Sequence, residues 1–170
     1  MASRASRVVN FEGLKLIGQL TRATKSLGWK APTPIQKRLV PLILKGKSVV
    51  ASAPTGTGKT AAYALPLLHK AHEHRARARH EGVTEPSGVS RPRALVIVPV
   101  PELAKQVHDH LDSLLANFPS EHLRISTAVH GINLVAQEEA LSLGEAADVL
   151  IATPRRLVEL ATSVSDEPEP

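Results

Sequence analysis

The sequence contains no cysteine. Disulfide scaffolds and thiolate metal sites are thereby excluded, and the chain does not need an oxidising compartment. Aromatic residues are almost as scarce: Phe11, Trp29, Tyr63 and Phe118 are the whole set, 2% of the chain. A core must therefore be built from Leu, Val, Ile and Ala, and a nucleic-acid binder that stacks bases on rows of aromatic rings is nearly excluded. No uninterrupted apolar run reaches the roughly 18 residues of a membrane-spanning helix. Acidic residues are nearly missing from the first half. Residues 1–93 hold 17 Lys/Arg against 4 Asp/Glu, a balance of +13, and residues 94–170 hold 4 against 12, a balance of −8. The net charge of +5 hides this split. A basic half suits a polyanion partner, such as nucleic acid or nucleotide phosphates, or simply solvated helix faces.

What is present is one domain's worth of chain. Its 170 residues, 42% hydrophobic and 22% charged, are ordinary for a globular protein. Residues 1–10 read as a short basic extension and 163–170 as an acidic, Pro-containing tail, disordered by composition. The first seven residues have the flavour of a transit peptide but are too few to make one. Between them, Leu14, Ile17, Leu20 and Leu27 fall near helical spacing, as do Ile35, Leu39, Leu42 and Ile43 after Pro34, which suits a first helical position. Short apolar runs then alternate with helical stretches. The strand candidates are Ser48–Ala53, Ala94–Val98, Arg124–Val129 and Val149–Ala152. Helices are expected from Lys59 to about His80 with a kink at Pro66, over Pro101–Asn117, over Asn133–Leu143 with Asn133 as N-cap, and from Pro154. Residues 82–93 read as a surface loop. Strands that are apolar throughout and alternate with helices predict a parallel sheet covered on both faces.

The strongest local signal is Ala53-Pro-Thr-Gly-Thr-Gly-Lys-Thr60, which follows a β-rich run and opens a helix. Gly56 and Gly58 can take positive φ and leave room for phosphate oxygens. The amides from about Gly56 to Thr60 would point inward at a helix N-terminus that favours anions. Lys59 can reach the β- and γ-phosphates, and the Thr60 hydroxyl can ligate Mg²⁺. A phosphate loop alone means nucleotide rather than function. Upstream, Gly28-Trp-Lys-Ala-Pro-Thr-Pro-Ile-Gln36 follows Phe11 by seventeen residues. A Gln side chain can pair with adenine at N6 and N7, and Phe11 could pack on the base.

Phe11, G-W-K-A-P-T-P-I-Q and A-P-T-G-T-G-K-T together resemble the amino-terminal half of a DEAD-box RNA helicase, matching its Q motif and motif I. Pro99-Val-Pro-Glu-Leu-Ala104 sits where that family has P-T-R-E-L-A, His130-Gly131 where it has a glycine pair, and Thr153-Pro-Arg-Arg156 where it has T-P-G-R. The similarity covers residues 11–160. It implies a three-layer α/β RecA-like P-loop NTPase domain over 11–162 with a mainly parallel sheet, incomplete at its C-terminal strands. It implies ATP and Mg²⁺ as cofactors. Phe11, Gln36, Thr55, Gly56, Thr57, Gly58, Lys59 and Thr60 would hold the nucleotide, with Thr60 on the metal. Glu102, Gly131, Thr153, Pro154 and Arg156 would face RNA, gripped mostly by its sugar-phosphate backbone. A second RecA-like domain or partner protein would close on the first. The implied setting is intracellular, cytoplasm or nucleus, with the mitochondrion left open by the basic N-terminus, and no membrane.

The departures from the family pattern fall on the RNA side. Val100 and Pro101 replace Thr and Arg, removing a hydroxyl, a guanidinium and an N–H. His130 replaces a glycine where a backbone amide could approach phosphate, and Arg155 replaces another, adding charge and bulk. The expected outcome is reshaped RNA binding with ATP recognition kept. No catalytic residue is assigned, because motif II is absent. The sequence's Asp166-Glu167 has no apolar strand before it and Pro168 after it. These residues are therefore expected to bind adenine nucleotide without hydrolysing it. Two other functions fit parts of the sequence: a non-catalytic assembly factor using the same fold, and an unrelated P-loop kinase, which the Gln36–Phe11 pairing argues against. His69, His72 and His74 read as a solvated basic helix end rather than a metal site, and Arg75, Arg77 and Arg79 spread around a helix surface. Asp109, Asp112, Glu138 and Glu139 read as surface residues.

Overall fold

The computed structural model describes residues 10–82, 92–116, 118, 123–142 and 147–163. The expectations for the N-terminal extension, the 82–93 loop and the acidic tail lie almost wholly outside the described residues. Contacts divide the chain into two compact units: residues 1–70 with 114–120, and residues 71–113 with 121–170.

The first unit is helical. A 3₁₀ turn over Phe11–Leu14 is capped by the Asn10 side chain, whose Oδ1 accepts from the Gly13 N–H at 3.1 Å. Helix α1 (Gly18–Ser26) buries Leu20, Ala23 and Thr24. It ends in a wrap in which Leu27 N donates to Ala23 O and Trp29 N to Thr24 O, bringing Trp29 back toward Phe11. Helix α2 (Pro34–Leu44) starts with Pro34 at its first turn, as its fixed φ and missing N–H favour. Helix α3 (Lys59–His80) continues through Pro66 and contributes residues 59–70 to this unit. Its Ala61, Ala62, Ala64, Leu65 and Leu68 are buried.

The strand expected over Ser48–Ala53 is not formed. These residues have no regular structure, and Val50 is fully exposed. A strand is stabilised by ladder partners on its edges more than by local preference. Among the described residues no strand pairs with this run, and its β-branched residues alone do not order it.

The second unit contains the sheet. Strands β1 (Ala94–Ile97), β2 (Ile125–Ala128) and β3 (Val149–Ala152) are all parallel, in the order β1-β3-β2. Val149 lies opposite both Ala94 and Ile125, and Ala152 opposite both Ile97 and Ala128. The central strand is apolar throughout and wholly buried, the pattern of a parallel strand covered on both faces. Helices α4 (Pro101–Leu115), α5 (Leu134–Ser142) and α6 (Pro154–Ser163) follow the three strands. On one side, Ala128, Leu150, Ala152 and Leu160 form a cluster completed by Leu134, Leu141 and Leu157. The Asn133 side chain caps α5, accepting from Val135 N at 2.9 Å.

Below the N-terminal ends of the strands lies an ion cluster. Asp148 is fully buried. Its carboxylate accepts from the guanidiniums of Arg75 and Arg93 and from the Arg124 N–H. Its backbone pairs with Arg93 and Ala94 before and in β1, and with Arg124 before β2. One residue thus fixes the register at which all three strands begin. Arg75, expected on the open surface, belongs to this cluster.

Candidate functional site

In the first unit, the phosphate loop lies between the unstructured Ser48–Ala53 run and the first turn of α3. Gly56 and Gly58 have φ of +78° and +87°, backbone conformations that glycine adopts without strain. The first helical bond runs from Ala62 N to Gly58 O, so the N–H groups of the preceding turn lack intrahelical acceptors and can receive an anion. The Thr57 hydroxyl donates to Pro54 O at 2.7 Å and shapes the loop. Lys59 bends back so that its ammonium donates to the carbonyls of Ala53 and Pro54. A cation held across its own loop, beside two glycines and a helix N-terminus, fits a phosphate chain, which would take the ammonium over from the two carbonyls. Tyr63, one turn beyond Thr60, has its phenol pushed up by burial, opposed by a hydrogen bond with Thr60.

Gln36 is buried against this loop. Its Oε1 accepts from Thr33 N at 2.9 Å, the reach-back of a capping box at the start of α2. Its Nε2 donates to Gly58 O at 3.3 Å. A Cβ on Gly58 would stand 2.5 Å from that nitrogen. The second glycine of the loop therefore serves both the turn and the Gln36 contact. The Thr33 hydroxyl oxygen is buried beside them. An amide with one N–H and one lone pair to spare fits the polar edge of a base.

Phe11 is placed differently from an open stacking face. It is 4% exposed, and its ring lies 5.9 Å from that of Trp29, tilted by 40°. It supports Trp29, which is the half-exposed member of the pair. His69 also has a specific role that its surroundings in sequence did not suggest: its Nδ1 accepts the Ile17 N–H at 3.1 Å, tying α3 to the start of α1.

In the second unit, the segments expected to face RNA gather at the C-terminal ends of the parallel strands. Val98 N donates to Ala152 O and Thr153 N to Ala128 O, so Val100-Pro101, His130-Gly131 and Thr153–Arg156 all leave the sheet at one edge. Pro101 and Pro154 each begin a helix. Glu102 is exposed in the first turn of α4, and Gly131 is exposed with φ +95°. Thr153 is buried with its hydroxyl oxygen unpartnered.

Arg156 does not present its guanidinium to solvent. Its Nε donates to Val129 O at 3.2 Å and its Nη2 to Ile132 O, with Nη1 3.4 Å from Glu159. It pins the His130-Gly131 loop to α6, so any effect on RNA passes through the loop's shape. Sequence reasoning also missed Glu159, which lies 3.1 Å from Arg155 and 3.7 Å from His130. Its i,i+3 and i,i+4 spacing from the two arginines was the available signal. Asp109, Asp112 and Glu139 are exposed, and the Glu138 side chain lies outside the described residues. No helix among the described residues is long and apolar enough to cross a membrane.

The family model described as DEAD/DEAH box helicase matches residues 33–167. A mouse protein named probable ATP-dependent RNA helicase DDX27 is 40% identical over 158 residues, which are 93% of this chain and 19% of that protein. An ATP-dependent rRNA helicase, rrp3, of Aspergillus niger is 38% identical over 152 residues, 88% of this chain and 28% of that protein. The chain thus spans about a fifth of the length of the first relative and under a third of the second. Among solved structures, a DEAD box protein from Methanococcus jannaschii superposes with a TM-score of 0.71 at 30% identity, covering 94% of this chain and 38% of that one. The RNA helicase Prp28 from Chaetomium thermophilum, bound to ADP, gives a TM-score of 0.69 at 30% identity, covering 91% and 34%.

Proposed function

This chain belongs to the DEAD/DEAH box helicase family, and on that footing we propose that it is the ATP-binding portion of an RNA helicase that couples ATP binding and hydrolysis to remodelling of RNA duplexes or ribonucleoproteins. The observation that carries this reading is the contact of Gln36 with Gly58. It joins the segment suited to adenine directly to the loop suited to phosphate, an arrangement a general phosphate loop does not require.

In this reading the first-turn amides around Thr55, Gly56, Thr57 and Gly58 receive phosphate oxygens, and Lys59 moves from the Ala53 and Pro54 carbonyls onto the phosphates. The Thr60 hydroxyl would hold Mg²⁺. Bound Mg²⁺ would neutralise charge on the phosphates and set their geometry. Gln36 reads the base edge, and Phe11 acts by holding Trp29. Hydrolysis needs carboxylates that organise the metal and the attacking water. None of the described residues supplies them, so this portion binds nucleotide without turning it over.

RNA passes over the C-terminal edge of the sheet, gripped by its sugar-phosphate backbone, with Glu102, Gly131, Thr153 and Pro154 forming that edge and Arg156 holding its shape. A second RecA-like domain or a partner protein completes the closed state inside the cell. A second reading, an assembly factor using the fold as a scaffold, draws support from one observation. Val100 and Pro101 occupy that edge without a hydroxyl or a cation.

Nucleotide selectivity tests the proposal. Full-length protein should prefer ATP to GTP, and Gln36→Ala should remove the preference by about tenfold, the value of one good bidentate base contact. Unchanged selectivity would reject adenine readout by Gln36. RNA-stimulated phosphate release by the full-length protein would favour the helicase over the scaffold.

A further inference from the structure

Glu159 is the acidic centre of a cationic edge. Its carboxylate is 30% exposed and faces three basic side chains on two segments: Arg155 Nε at 3.1 Å, Arg156 Nη1 at 3.4 Å and His130 Nε2 at 3.7 Å. The three are not equivalent. The Arg156 side chain is 6% exposed and already occupied by the Val129 and Ile132 carbonyls. Arg155 is 83% exposed and His130 40% exposed, and neither has another acceptor among the hydrogen bonds described above. Glu159 therefore has one buried partner held by two other acceptors and two partners open to solvent.

We propose that Glu159 sets the RNA affinity of this edge by competing with backbone phosphate for Arg155, with His130 as a secondary partner. The proposal rests on the reading that RNA crosses this edge. Its physical basis is the weakness of the tether. An exposed i,i+4 ion pair is weak and screened by salt, so a backbone phosphate can compete for its guanidinium. Glu159 thus reduces the contribution of Arg155 without abolishing it. Arg155 lies in the first turn of α6, at the same strand ends as Pro101, where the sequence carries no cation. Removing the carboxylate charge frees Arg155 for phosphate and leaves Arg156 on its two carbonyls, so the loop keeps its shape.

The test is binding of a fluorescein-labelled 20-nucleotide oligouridylate to the full-length protein across a range of salt. Glu159→Gln is expected to tighten binding about two- to fivefold and to steepen the salt dependence by about 0.7, the value of one extra phosphate contact on a single strand. The gain should vanish in the Glu159→Gln/Arg155→Gly double variant. Glu159→Asp, which keeps the charge but shortens the reach by one methylene, should give a smaller gain of the same sign, and it stands in if Glu159→Gln folds poorly. Unchanged or weaker binding in both variants overturns the proposal, as does an equal gain without Arg155. Arg155→Glu separates this from the underlying reading. If it weakens binding while the Glu159 variants gain nothing, RNA crosses the edge and only the competition is wrong. If it changes nothing, the edge is not where RNA binds.

Discussion

Gln36 and Gly58 touch across the phosphate loop: the Gln36 amide nitrogen donates to the Gly58 carbonyl at 3.3 Å and occupies the space where any other residue would carry its Cβ. The loop's conformation and the buried amide are therefore one feature.

Gly58→Ala should lose nucleotide binding. Its φ of +87° would cost about 1–3 kcal/mol in a non-glycine residue, and the added methyl must displace Gln36. Titration calorimetry with ATP should show at least a tenfold loss. Gly46→Ala, also at positive φ but with nothing within 4 Å of the new methyl, should leave ATP affinity unchanged.

Asp148→Asn, just before β3, should strongly destabilise the second unit. It leaves two guanidiniums around a neutral amide, and breaking a buried ion cluster by removing one partner costs about 3–5 kcal/mol. A fall in melting temperature of roughly 10 °C is expected by calorimetry, at 2–4 °C per kcal/mol for a chain of this size.

Arg156→Lys should fail to preserve the His130-Gly131 loop. One ammonium cannot serve Val129, Ile132 and Glu159 together. Amide hydrogen exchange should rise at 129–133 while strand β3 remains protected.

His110 introduces acid sensitivity. Burial pushes its imidazole below the ordinary value of 6.5, because the folded chain disfavours the charged form. The unfolded chain therefore takes up a proton first as pH falls through about 6.5, and stability drops until the folded imidazole is protonated as well. Melting temperature should fall between pH 7.5 and 5.5, and His110→Gln should reduce the slope. An unchanged slope would show that His110 does not set it.

How far the sequence anticipates this molecule depends on the range of the forces involved. Strand β3 is legible because an all-apolar run needs cover on both faces. Pro34, Pro101, Pro154 and Asn133 mark helix starts because capping is local. The Ser48–Ala53 run has a strand's composition, yet pairing is decided by neighbours the run does not contain. Asp148 gathers partners 73, 55 and 24 residues away, a separation no motif records. In the site, the Gln36–Gly58 contact joins two segments that the sequence marks as separate motifs. The burial of Phe11 under Trp29 and of Arg156 under its own loop is not legible there, since both are set by tertiary packing.

The central claim is that this chain supplies the nucleotide-holding part of an RNA-dependent ATPase. The most direct measurement is phosphate release by the full-length protein with and without single-stranded RNA, alongside Lys59→Ala. Release should rise severalfold with RNA and disappear in Lys59→Ala. Release that ignores RNA, or that survives loss of Lys59, would contradict it.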